Sequence, residues 1–94
     1  MSRELPPGLT AYRQTPVFTE ATLPAALRSR HRTKAGVWGV ITVLEGRLKL
    51  RRLDPPSETT LDGPADAVVA PEEPHEVEPL GPVRFFVEFR AAAS

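Results

Sequence analysis

Gly36-Val37-Trp38-Gly39-Val40-Ile41-Thr42-Val43-Leu44-Glu45-Gly46-Arg47-Leu48-Lys49-Leu50-Arg51 is the stretch on which the fold turns. Its first nine residues are rich in β-branched and aromatic side chains, which fit a pleated, buried surface and predict a strand. Glu45-Gly46 then predicts a tight turn. From Arg47 to Arg51, basic residues alternate strictly with leucines, so a half-buried strand would send the leucines to one face and the cations to the other. The whole stretch therefore predicts a β-hairpin. Downstream, Asp54-Pro55-Pro56-Ser57 and Asp62-Gly63-Pro64 read as turns around a short strand at Glu58 to Leu61. Ala67-Val68-Val69-Ala70 is a brief apolar strand stopped by Pro71-Glu72-Glu73-Pro74, and His75 to Glu78 alternates again. Leu80-Gly81-Pro82 predicts a turn into the aromatic strand Val83 to Arg90. Upstream, Tyr12 to Phe18 is expected to be extended despite Pro16, and Leu23 to Arg28 to form one helical turn with Pro24 near its start. About seven short strands punctuated in this way describe an all-β sandwich or barrel.

Composition narrows the class further. A chain of 94 residues is the size of one small domain. Its 40% apolar and 26% charged content suits a folded, soluble chain rather than a disordered one. Eleven prolines interrupt almost every window in which a long helix would run, which excludes an all-helical bundle. With no cysteine, disulfides, thiolate zinc sites and a Cys nucleophile are excluded together. No apolar run is long enough for a membrane span, and Met1 to Pro7 lacks the apolar core of a signal peptide, so a cytoplasmic location is expected. The proline-rich start and the tail Ala91-Ala92-Ala93-Ser94 are expected to fray.

The zero net charge conceals a polarised chain. Residues 1–53 carry ten Lys or Arg against three acids, and residues 54–94 two against nine, so the halves stand at +7 and −7. Each half is expected to find its partner in the other, across a sheet or a dimer interface, which disfavours a nucleic-acid binder with an uncompensated basic face.

Any imidazole chemistry must use His31 and His75, the chain's two histidines. Both sit at predicted strand mouths, where two positions of a small barrel can face one interior and hold a divalent ion with a carboxylate or water. Glu72, Glu73, Glu76, Glu78 and Glu88 are the acids available to complete such a site. Alternation sends Glu76 and Glu78 outward if His75 points inward, so Glu78 reaches an ion only through a bulge. Otherwise these acids form a solvated face or pair with the cluster Arg28, Arg30, Arg32 and Lys34, which itself raises the local positive potential beside His31. Trp38 and Tyr12 read as packing residues. No glycine-rich phosphate cradle and no nucleophile elbow is present.

Three segments, Thr33 to Gly39, Val43 to Leu48 and Glu73 to Leu80, carry a resemblance to the small TehB/YeaR-like domain. This tellurite-resistance-associated family has a cupin-type double-stranded β-helix, and the likeness runs from Leu5 to about Arg90. Some TehB proteins carry such a domain ahead of an S-adenosylmethionine-dependent methyltransferase, a second domain for which this chain lacks the length. The broader cupin pattern places its His-x-His on His31-Arg32-Thr33, its glutamate on Trp38 or Gly39 and its first closing glycine on Gly46. The second motif's glycine, proline and histidine fall on Gly63, Pro71 and His75. Two of the four usual ligands are thus kept.

The resemblance implies a single cupin-like jelly-roll domain over residues 1–94, with an ordered core at about 9–90. A homodimer is expected because so small a core gains by burying a sheet face. The expected function is a small metal- or ligand-binding domain in a tellurite-resistance or nitrogen-oxide stress setting, with zinc or a similar ion held by His31, His75 and Glu78. A small-molecule ligand is a possible partner; no nucleic acid and no membrane are expected. The alternatives are a metal-dependent enzyme acting on a small anion, and a metal-free structural or sensory interaction domain.

Overall fold

The computed structural model describes residues 5–92. In order they form β1 (Leu9–Gln14), β2 (Phe18–Thr19), a single 3-10 turn (Ala25–Arg28), β3 (Trp38–Leu53), β4 (Pro56–Asp62), β5 (Ala65–Val69) and β6 (His75–Ala92). All strand pairings are antiparallel. The architecture is all-β, as expected.

The predicted hairpin at Glu45-Gly46 does not form. β3 runs through it as one strand of 16 residues, and β6 likewise runs for 18 residues through the turn predicted at Leu80-Gly81-Pro82. The two long strands pair with each other from Trp38↔Arg90 to Arg52↔His75. Gly46 and Gly81 instead take positive φ, +82° and +114°, and bend strands that continue. Gly46 lies opposite Val83, with register shifts on either side, so both strands are interrupted at the same level. The ladder is a bulge rather than a reversal because the chain next to Gly46 belongs to β6.

That shared bend folds one hydrogen-bonded sheet over itself. Along one edge of β3, β4 pairs with the half beyond the bend (Arg47 to Leu53) and β5 with the half before it (Gly39 to Val43). The connection at Gly63 is tied to the bend by its N–H, which donates to the Gly46 carbonyl at 2.9 Å. β1 and β2 line the far edge of β6. Leu48, Leu50 and Val77 from one half and Ile41, Val43, Val69, Phe85 and Val87 from the other meet in a single apolar cluster, the core of a two-layered fold. The alternation read at Arg47 to Arg51 holds, with Leu48 and Leu50 fully buried.

Upstream, Pro16 splits the expected extended run. Thr15 bridges the gap: its N–H donates to the Val87 carbonyl at 2.9 Å, and its Oγ1 accepts from the Val87 N–H at 3.0 Å. The expected helical turn forms as the 3-10 turn, with Pro24 at its N-cap. Ala91 and Ala92 are not frayed, since they pair with Thr10 and Leu9 in the ladder. The other residues of the expected frayed ends that lie at 1–4 and 93–94 fall outside the described residues.

The opposed charges meet across the sheet. Arg51 of β3 is ion-paired with Glu58 of β4 and with Glu76 and Glu78 of β6, and Arg52 with Glu73. Glu58, Glu73, Glu76 and Glu78 therefore find Arg51 and Arg52 rather than the cluster at Arg28 to Lys34, and Glu88 pairs with Arg90.

Candidate functional site

A cavity of about 460 Å³ opens between the 3-10 turn, the β1–β2 connection and the inner faces of β3, β5 and β6. Phe18, Leu27, Ile41, Phe85, Val87 and Phe89 form much of its wall. The Phe18 and Phe85 rings pack edge to face, with centroids 5.7 Å apart. His31 and His75 both line it.

The backbone brings the two histidines together. His31 forms an antiparallel bridge with His75, and each N–H donates to the other's carbonyl at 2.8 Å. The imidazoles meet edge to face with centroids 5.5 Å apart. His75 is buried at 5% exposure, and its Nδ1 lies 2.8 Å from the Glu73 carbonyl. A carbonyl only accepts, so Nδ1 carries the proton and Nε2 is left with a lone pair when the ring is neutral. Burial is the main force holding the His75 pKa below its ordinary value, with the neighbouring His31 and Arg52 adding to it against the Glu73 carbonyl and carboxylate.

Glu78 does not join them. Adjacent to buried Val77, it emerges on the outer face of β6 opposite Lys49, where Arg51 holds it. Thr33, at the second ligand position of the cupin pattern, is buried, and its Oγ1 donates to the Val37 carbonyl at 2.7 Å and accepts from the Glu72 N–H at 3.3 Å. It clasps the loop instead of facing an ion. Among the described residues no group of three or more His, Asp or Glu is placed to hold a metal. Two imidazoles fall short of the three protein donors that a zinc centre ordinarily uses, so these residues do not make one by themselves. Tyr12, read as a packing residue, is 58% exposed on β1, and Trp38 is half-buried outside the core cluster. The aromatic walls were missed as a site because in sequence they are indistinguishable from core.

The family model of the TehB-like domain matches residues 13–87, from β1 to the inner face of β6. The chain belongs to the TehB-like domain family. Over 45 residues it is 47% and 44% identical to the probable S-adenosyl-L-methionine-dependent methyltransferase TehB of two Haemophilus influenzae strains. That match covers 48% of this chain and 16% of each relative, so the chain spans only a small part of their length. The crystal structure of Haemophilus influenzae TehB superposes with a TM-score of 0.84 at 32% identity, over 92% of this chain and 32% of that one. A protein from E. coli shares the fold end to end, with a TM-score of 0.91 at 24% identity over 98% of this chain and 99% of its own. No helix among the described residues is long and apolar enough to cross a membrane.

In this TehB-like domain the buried His75 gives stability a definite pH dependence. Its folded pKa lies below the unfolded value of 6.5, so the unfolded chain takes up the proton first as pH falls. Stability is therefore expected to be full above the unfolded value, to decline as pH drops below it, and to level off once the folded pKa is passed. Urea unfolding midpoints measured between pH 8 and pH 5, on the wild type and on His75→Phe, check this. The variant should show a flatter slope across the window.

Proposed function

We propose that this TehB-like domain is a small-molecule binding module whose ligand enters the cavity between the sheet halves and is anchored by His31 and His75. The observation that carries this reading is the convergence of the two imidazoles on one largely apolar cavity. Its size lies within the range of small-molecule sites, and few polar groups on apolar walls are the usual composition of such sites. Membership of the TehB-like family favours a setting in tellurite resistance. Methyl transfer is no part of this reading, because the curated match covers only 16% of each relative. An ion expected from the cupin pattern would rest on two imidazoles alone, and ligand binding needs none.

The test is a plug in the cavity. Ala26, on the 3-10 turn, lines the cavity yet is solvent-exposed, so Ala26→Trp fills the space without disturbing the core. Small molecules that raise the melting temperature of the wild type should fail to raise that of Ala26→Trp, whose unliganded melting temperature should be unchanged. Equal stabilisation of both proteins would contradict the reading. Metal analysis of the untagged protein after zinc supplementation is expected to find no stoichiometric zinc; one zinc per chain, lost in a His31→Ala, His75→Ala double variant, would replace the ligand reading with a metal one.

A further inference from the structure

We propose that the molecule this cavity takes is uncharged, with an aromatic or alicyclic body against the phenylalanine walls and a hydroxyl group that donates to Nε2 of His75. The inference rests on the cavity being a ligand site, and it names what chemistry that site accepts.

The Nδ1 proton is committed to the Glu73 carbonyl, so the neutral ring offers only the Nε2 lone pair. No described residue is hydrogen-bonded to that nitrogen. Among the described residues no fully enclosed side-chain nitrogen or oxygen lacks a partner, so Nε2 keeps an accessible face, and His75 lines the cavity. A lone pair in an apolar setting welcomes a donor and repels the oxygens of an anion. Arg30, Arg32 and Lys34 flank His31 in the sequence but are solvent-exposed and do not line the cavity, and Arg52, opposite His75, is already engaged. Arg52 donates to Glu73 at 3.0 Å and to the Val68 carbonyl at 2.8 Å, while Glu73 also accepts from the Ala70 N–H at 2.9 Å. Arg13 lines the cavity from β1 but is solvent-exposed, where water screens its charge. Among the described residues the walls have no other Lys or Arg, and Phe18 and Phe85 already pack edge to face, an arrangement that a further ring can extend.

Phenol, toluene, benzoate and sodium tellurite serve as probes, titrated at pH 7.5 into the full 15N-labelled chain with the backbone amides of His75, Phe85 and Val87 as reporters. Phenol should shift these amides saturably and bind about ten-fold more tightly than toluene, because toluene leaves the buried acceptor unpaired. Benzoate and tellurite should bind more weakly than phenol by about the same factor or more. In His75→Phe, phenol should fall to the level of toluene while toluene is unaffected; should that variant fail to fold, the wild-type ratio of phenol to toluene decides. Phenol no tighter than toluene, or either anion tighter than phenol, overturns the ligand class while the cavity still stands as a site. Silence of every probe at these amides overturns the class and the binding reading together.

Discussion

Gly46→Ala is expected to remove about 3–5 kcal/mol of stability, a third or more of what a domain this size ordinarily possesses. Two costs combine. At φ +82° any β-carbon pays about 1–2 kcal/mol for the left-handed backbone. A β-carbon there would also sit 2.1 Å from the Pro82 carbonyl oxygen and 2.8 Å from the Val83 Cα. Both are backbone atoms of the paired strand, so relief requires β3 and β6 to part at the bend on which the two-layered fold depends. Gly81→Ala is the internal control. Gly81 also has positive φ, +114°, but a β-carbon there meets nothing within 4 Å, so strain alone should cost about 1–2 kcal/mol. Urea unfolding of the two variants side by side separates close approach from conformational strain.

Glu73→Ala is expected to cost a similar 3–5 kcal/mol, by a different route. The Glu73 side chain is 4% exposed and accepts from Arg52 and from the Ala70 N–H, while the Arg52 side chain is itself only 11% exposed. Removing the acid strands a buried cation and a backbone donor together. The pair Arg84–Glu45 shows the contrast: both side chains are more than half exposed, so water already screens them. A Glu73→Leu, Arg52→Met double variant should recover much of the loss, because a matched apolar pair leaves no buried charge behind. Denaturant midpoints of the single and double variants, compared with wild type, check this; full loss in both would mean that Glu73 acts chiefly through its bond to Ala70.

What the sequence revealed and what it hid divide along the range of the interactions involved. The leucine and cation alternation at Arg47 to Arg51 was legible because side-chain period is a local property of a strand. The same rule put Glu78 on the outer face, where it lies. The continuity of β3 was not legible. Glu-Gly is equally at home in a turn and in a bulge, and the choice was made by β6, roughly forty residues further along the chain. Leu80-Gly81-Pro82 misled for the same reason. Tyr12 looked like a packing residue, but β1 is an edge strand with most of its residues exposed. The meeting of His31 with His75 could not be read from a spacing of 44 residues, because it depends on a bridge beyond the regular ladder. The cupin-like pattern did point to both histidines, yet it supplied no third donor from among these residues.

The account stands or falls on the state of one ring. A long-range 1H–15N correlation spectrum of the histidine side chains at pH 7.5 reads the tautomer of each imidazole directly. The expected result is a His75 ring protonated at Nδ1 and bare at Nε2, with the Nε2 resonance moving when phenol is added. A His75 ring protonated at Nε2, or one whose nitrogens ignore every probe that binds, would contradict the account.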